Sequence, residues 1–180
     1  MISRRALLKT FLAAAALRPA RNALAAAETR TAPETRDGFL ALYNIHTEES
    51  LAATYRAGGK YDPKVLDAIN RLLRCHYTNE VKPVDVGVLD LLCGIKDRYG
   101  AERQIHVISG YRSPAYNALL KKKGHQVAGG SYHLRGLAVD FALPGVGTHE
   151  LFLAARSLAA GGVGNYPDFV HIDVGPIRSW

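Results

Sequence analysis

The sequence has no apolar run approaching the roughly twenty residues needed to cross a bilayer, no internal repeat and no low-complexity tract beyond its N-terminal leader. Cysteine is scarce. Cys75 and Cys93 are the only two, so a multi-bridge scaffold is excluded, and without C-x-x-C spacing they offer little towards a thiolate zinc site. Both fall in predicted helices, where they can pair in an oxidising compartment or serve as small core residues. Acid is missing from the first 27 residues, which hold Arg4, Arg5, Lys9, Arg18 and Arg21. The formal charge of +7 therefore belongs mostly to the leader, and the other 153 residues carry 18 basic against 16 acidic side chains. A body this close to neutral lacks the basic footprint of a nucleic-acid binder.

What is present suits one domain. The 180 residues are 48% hydrophobic and 22% charged, enough apolar material for a single core and too little length for two. Residues 1–27 read as an export signal: a charged start, an apolar stretch from Thr10 to Leu17, and small residues through Ala27. Ser3-Arg4-Arg5-Ala6-Leu7-Leu8-Lys9 resembles the twin-arginine form, which predicts the periplasm as destination and the twin-arginine machinery as partner. Residues 28–37 read as a polar linker and 38–180 as the folded domain.

Strands are predicted at 39–46 and 51–56 as a hairpin. A helix follows from Asp62-Pro63, with Val65, Leu66, Ile69, Leu72 and Leu73 on one face. A second helix runs from Asp85 to Tyr99-Gly100. Further on come a strand at 104–109, a helix at 114–123, a strand at 137–143, a helix at 148–160 closed by Gly161-Gly162, and a strand at 169–174. With no regular βαβ alternation, the pattern predicts an α+β fold whose small antiparallel sheet packs against helices.

The chemistry concentrates in two segments. In the first, Ser131-Tyr132-His133-Leu134-Arg135-Gly136-Leu137-Ala138-Val139-Asp140, strand alternation puts Asp140 on a face with Ala138 and Ala142, opposite Leu137, Val139 and Phe141. An acid among small residues there needs a cation or donors. In the second, Asp168-Phe169-Val170-His171-Ile172-Asp173, His171 and Asp173 share a face. Two imidazoles and one carboxylate form a frequent catalytic zinc set, and a hydrogen-bonded structural histidine is the competing reading for each.

The spacing S-x-H-x-x-G-x-A-x-D, the later V-H strand and Ser109-Gly110-Tyr111-Arg112-Ser113-Pro114 resemble the D-Ala-D-Ala zinc metallopeptidase superfamily. Tyr43-Asn44-Ile45-His46-Thr47, Gly162-Val163-Gly164 and the ending Phe169-Val170-His171-Ile172-Asp173 through Trp180 are similar to its YcbK-like murein endopeptidase branch. The resemblance implies a zinc peptidase acting on peptidoglycan cross-links between D-centres, with one zinc per chain on His133, Asp140 and His171. It implies that Arg112 binds substrate and steadies charge at the scissile carbonyl, and that Ser131 shapes the substrate site. Asp168 copies the E-x-x-H spacing of dipeptidase relatives with a shorter acid, and is the candidate proton acceptor. Asp173 is the candidate partner orienting a ligand. Carboxypeptidase action and a non-catalytic wall-binding module stand as alternatives, and 4-3 and 3-3 cross-links are not distinguished. Tyr132 stands where an apolar residue is expected. His46, His76, His106, His125 and His149 carry no ligand-like context and read as structural.

Overall fold

The computed structural model describes residues 37–125 and 128–180. The leader and residues 28–36 of the linker lie outside the described residues.

The chain opens with a hairpin, β1 (Gly38–Asn44) and β2 (Glu49–Ala57). Alternate residues of β1 are buried, so Leu40 and Leu42 point into the core. A short strand β3 (Lys60–Tyr61) turns back onto β2. Helix α1 (Pro63–Leu72) starts where predicted, because the Asp62 carboxylate accepts from the backbone N–H groups of Lys64 and Val65 and Pro63 needs no such partner. Helix α2 (Val86–Lys96) is capped in the same way by Asp85. It buries Val88, Leu89, Leu92 and Ile95.

Strand β4 (Gln104–Ser109) runs parallel to β1. Helix α3 (Pro114–Lys122) is capped by Ser113, and a 3-10 turn spans Tyr132–Arg135. Strand β5 (Ala138–Ala142), helix α4 (Thr148–Arg156), and strands β6 (Gly162–Asn165), β7 (Val170–Asp173) and β8 (Arg178–Ser179) complete the chain.

The fold is α+β, but the sheet is neither small nor purely antiparallel. Eight strands form one sheet in the order β3-β2-β1-β4-β5-β7-β6-β8, with β1/β4 and β6/β8 parallel. The difference arises at the edges. Gly161-Gly162 reads as a helix closure, yet α4 stops at Arg156 and Gly162 begins β6, which pairs antiparallel with β7. One face of the central strands supplies Val139, Phe141, Val170 and Ile172 to a single core with residues of α1, α2 and α4. The other face of β5 and β7 carries Asp140, His171 and Asp173.

The helix predicted over Cys75 ends early. α1 closes at Leu73, Cys75 lies in the turn that follows, and Cys93 lies in α2. Both thiols are free and buried. Among the described residues no helix is long and apolar enough to cross a membrane.

Candidate metal centre and its cavity

Register creates the site. β5 and β7 pair with Asp140 directly opposite His171, so their side chains emerge side by side on the same face. His133 reaches them from the 3-10 turn just before β5. That turn ends at Gly136 with φ 70°, and a Cβ there would lie 2.3 Å from the Pro83 carbonyl oxygen. Only glycine lets the chain reverse so close to Pro83 and deliver His133 to the sheet.

His133 Nε2 lies 3.2 Å from Asp140 Oδ1 and 3.2 Å from His171 Nδ1, and His171 Nδ1 lies 2.7 Å from Asp140 Oδ1. All three residues are buried. The outer atoms of both rings decide their tautomers. His133 Nδ1 sits 2.8 Å from the Gly110 carbonyl oxygen, which can only accept, so this nitrogen carries the proton and Nε2 faces inward as a lone pair. His171 Nε2 sits 3.1 Å from Asp173 Oδ2, which leaves Nδ1 facing inward in the neutral ring. Two imidazole lone pairs and a carboxylate oxygen then converge on one point with no donor between them. That donor set fits a cation, and a zinc ion matches two imidazoles and a carboxylate.

The electrostatics agree. Burial alone would raise the Asp140 pKa, but the charges and hydrogen bonds of His133 and His171 hold it below the usual carboxylate range. Burial alone would lower that of His171, but its hydrogen bonds to Asp140 and Asp173 outweigh this and raise it. The cluster thus favours added positive charge, which a cation at the three inward atoms would supply.

Asp173 is fully buried. Its oxygens accept from His171 Nε2, the Gly162 and Gly175 amides at 3.0 and 2.8 Å, and both terminal nitrogens of Arg178 at 3.1 and 2.6 Å. Desolvation is again outweighed, and these donors hold its pKa below the ordinary range. With its lone pairs so engaged, Asp173 can orient His171 but has no free position for another proton.

A cavity of about 720 Å³ opens above His133, Asp140 and His171. Arg112 lines it, buried, with Nη2 3.6 Å from Asp140 Oδ2. Arg112 Nε has no hydrogen-bond partner among the described residues, which leaves a donor inside the protein for a bound group. Ser131 lines the cavity at the entrance to the 3-10 turn, and its hydroxyl makes no capping bond. Tyr132 also lines the wall, where Arg135 and Arg178 stack on its ring at 4.4 and 5.0 Å. The guanidiniums accommodate an aromatic ring at this position.

Asp168 is not brought to the others. It is exposed in the turn between β6 and β7 and does not line the cavity, whereas Phe169, the next residue, does. The E-x-x-H spacing therefore does not carry its geometry to this chain. Conversely, His46, His76 and His125 line the cavity rather than standing apart from it, as do Tyr166 and Trp180. Sequence spacing gives no signal for these, since they come from separate segments spread along the domain. His106 and His149 do not line it, and pack against Tyr43 and Phe152.

A buried His-Asp-His cluster that could hold a metal ion lies at the base of a large cavity, on a mixed sheet backed by helices, an arrangement suited to a hydrolase. The family described as peptidoglycan L,D-endopeptidase MepK matches residues 30–180, and the chain belongs to it. It is 40% identical to the peptidoglycan L,D-endopeptidase MepK of Escherichia coli K12 over 147 residues, 81% of either chain. The Shigella flexneri protein of that name matches equally. A probable peptidoglycan L,D-endopeptidase MepK from Haemophilus influenzae is 36% identical over 145 residues, 79% of this chain and 78% of its own.

Proposed function

We propose that this chain is a zinc-dependent peptidoglycan endopeptidase that hydrolyses amide bonds in peptide cross-links. The convergence of three lone pairs from His133, Asp140 and His171 at the cavity floor carries this reading, together with the family to which the chain belongs. The relatives are named for L,D-endopeptidase action, so the bond assigned here joins an L- to a D-centre rather than two D-centres.

His133, Asp140 and His171 would hold one zinc ion. Bound there, zinc supplies Lewis acidity and lowers the pKa of a water ligand to about 7. Arg112 holds the scissile carbonyl and opposes the negative charge that develops on its oxygen. Its burial makes that charge count for more than it would in water. Asp173, clamped by Arg178, fixes the orientation and tautomer of His171. Ser131 contacts substrate at the cavity wall. Asp168 stands outside the cavity, and we assign it no proton transfer.

Export to the periplasm by a twin-arginine signal in residues 1–27 fits a cell-wall substrate. Lysine at both Arg4 and Arg5 then leaves uncleaved precursor in the cytoplasm, and undiminished export would point to the general secretory route. The catalytic reading is tested by incubating purified protein with cross-linked muropeptides, with and without a zinc chelator, and reading products by mass spectrometry. Loss of one cross-link amide in the absence of chelator, and none in its presence, is the expected outcome. Binding without cleavage would make the chain a wall-binding module, and release of a terminal residue would make it a carboxypeptidase.

A further inference from the structure

The cavity holds more basic groups than the metal centre uses. Among the described lining residues, His46, His76, His125, Arg112 and Arg178 stand against one carboxylate side chain, Asp140. Arg178 is neutralised by Asp173, and Asp140 is engaged by His133 and His171. His46 and His76 remain as a pair that no ion pair among the described residues neutralises. Their rings stack at 4.0 Å between centroids and 22° between planes. No hydrogen bond from a described residue ends on a ring nitrogen of either.

The pair is held in place from both sides. The His46 backbone N–H donates to Asn44 Oδ1 at 3.0 Å, and Asn44 Nδ2 donates to the Leu72 carbonyl at 2.8 Å. This buried bridge ties the β1–β2 turn to the end of α1, just before His76. On its other side His76 meets Tyr116 of α3 edge-on, at 4.8 Å and 74°. Burial, then the nearby charges of His46 and Arg112, lower the His76 pKa. The protein's own groups thus disfavour the charge that a bound anion would favour.

We propose that His46 and His76 form a carboxylate subsite, so that this chain prefers cross-linked peptides bearing a free carboxylate beside the scissile amide over the same peptides amidated there. The inference rests on the endopeptidase reading and names a feature of its substrate. Both rings line the cavity of the metal centre, His76 half-buried and His46 exposed, so a peptide bound over Asp140 can reach them. A carboxylate at the edge of the stacked rings accepts charge-assisted hydrogen bonds from their N–H groups, while a carboxamide brings no charge to them. The other titratable groups around the pair are Arg112 and Tyr116, with Tyr77 and Cys75 on the turn of His76. Glu48 and Glu49 follow His46, and Glu49 is engaged by Arg74. Protonation of His76, which burial and neighbouring charge oppose, strengthens the hold on the carboxylate, so the preference grows as pH falls and fades as pH rises.

The test compares kcat/KM for a free-carboxylate and an amidated cross-linked peptide, using the zinc-loaded protein. Wild type should favour the free form by about tenfold or more at pH 6, the range for a hydrogen bond to a charged group. The preference should shrink by pH 8. His76→Phe keeps an aromatic ring in the stack and removes the nitrogens, and should bring the ratio close to one. His46→Phe serves the same purpose on the other ring if the first variant does not fold. Equal use of the two peptides by wild type, or a ratio that survives both substitutions or does not change with pH, overturns the subsite. Failure of wild type to cut either peptide overturns the endopeptidase reading itself, a different result.

Discussion

At the scale of single residues, two aspartates separated by five positions have opposite surroundings. Asp173 is saturated by four donor groups in the interior, while Asp168 is exposed in a turn. Replacing Asp173 with asparagine keeps the shape but removes the charge that pairs with Arg178 and fixes the His171 tautomer. Zinc affinity should fall by about 10–100-fold, read by competition with a chromophoric chelator. Asp168→Asn should keep both zinc and most of the turnover. A loss of about 10²–10⁴-fold in kcat, typical of removing a general base, would show that the Tyr166–Phe169 turn moves Asp168 into the cavity when substrate binds. Arg112 offers a complementary contrast. It lines the cavity beside Asp140 Oδ2 but supplies none of the three inward atoms, so Arg112→Ala should keep zinc content and lower kcat by about 10²–10³-fold, as loss of an oxyanion donor does. Unchanged kcat with a raised KM would make it an anchor only.

At the scale of elements, the helix starts were legible because they depend on local chemistry. Asp62, Asp85 and Ser113 each accept from the first turn of the helix they precede. Strand alternation likewise gave the shared face of His171 and Asp173 and the isolation of Asp140 from Val139 and Phe141. The sheet edges were not legible. β6 reads Gly-Val-Gly-Asn and β8 is two residues long, so neither has a periodic signal, and both exist because neighbouring strands offer free backbone groups. The 3-10 turn carrying His133 depends on Gly136, whose amide carbonyl also accepts from Asp85 at the start of α2. Gly136→Ala places a methyl group against the Pro83 carbonyl at a φ that L-residues disfavour. It should lower stability by about 1–3 kcal/mol, seen as a reduced Tm, and weaken zinc binding as His133 shifts. An unchanged Tm with full zinc occupancy would show that the turn tolerates a side chain.

At the scale of the whole molecule, the three groups that converge at the cavity floor are brought together by long-range register, and the motif resemblance anticipated this where local patterns could not. A histidine in a turn, an aspartate in one strand and a histidine in another have no common period. Their meeting follows from β5 pairing with β7 in one register and not its neighbour, since a slip of one residue would turn His171 into the core. His46, His76 and Trp180 join the same cavity from three separate segments of the domain, and no short motif links them. The account turns on the claim that these inward lone pairs hold a metal. Elemental analysis of the purified mature protein beside its His133→Ala variant tests this most directly. One zinc per chain in the wild type and near-complete loss in the variant is the predicted result, and equal zinc in both, or none in either after growth with zinc, would contradict it.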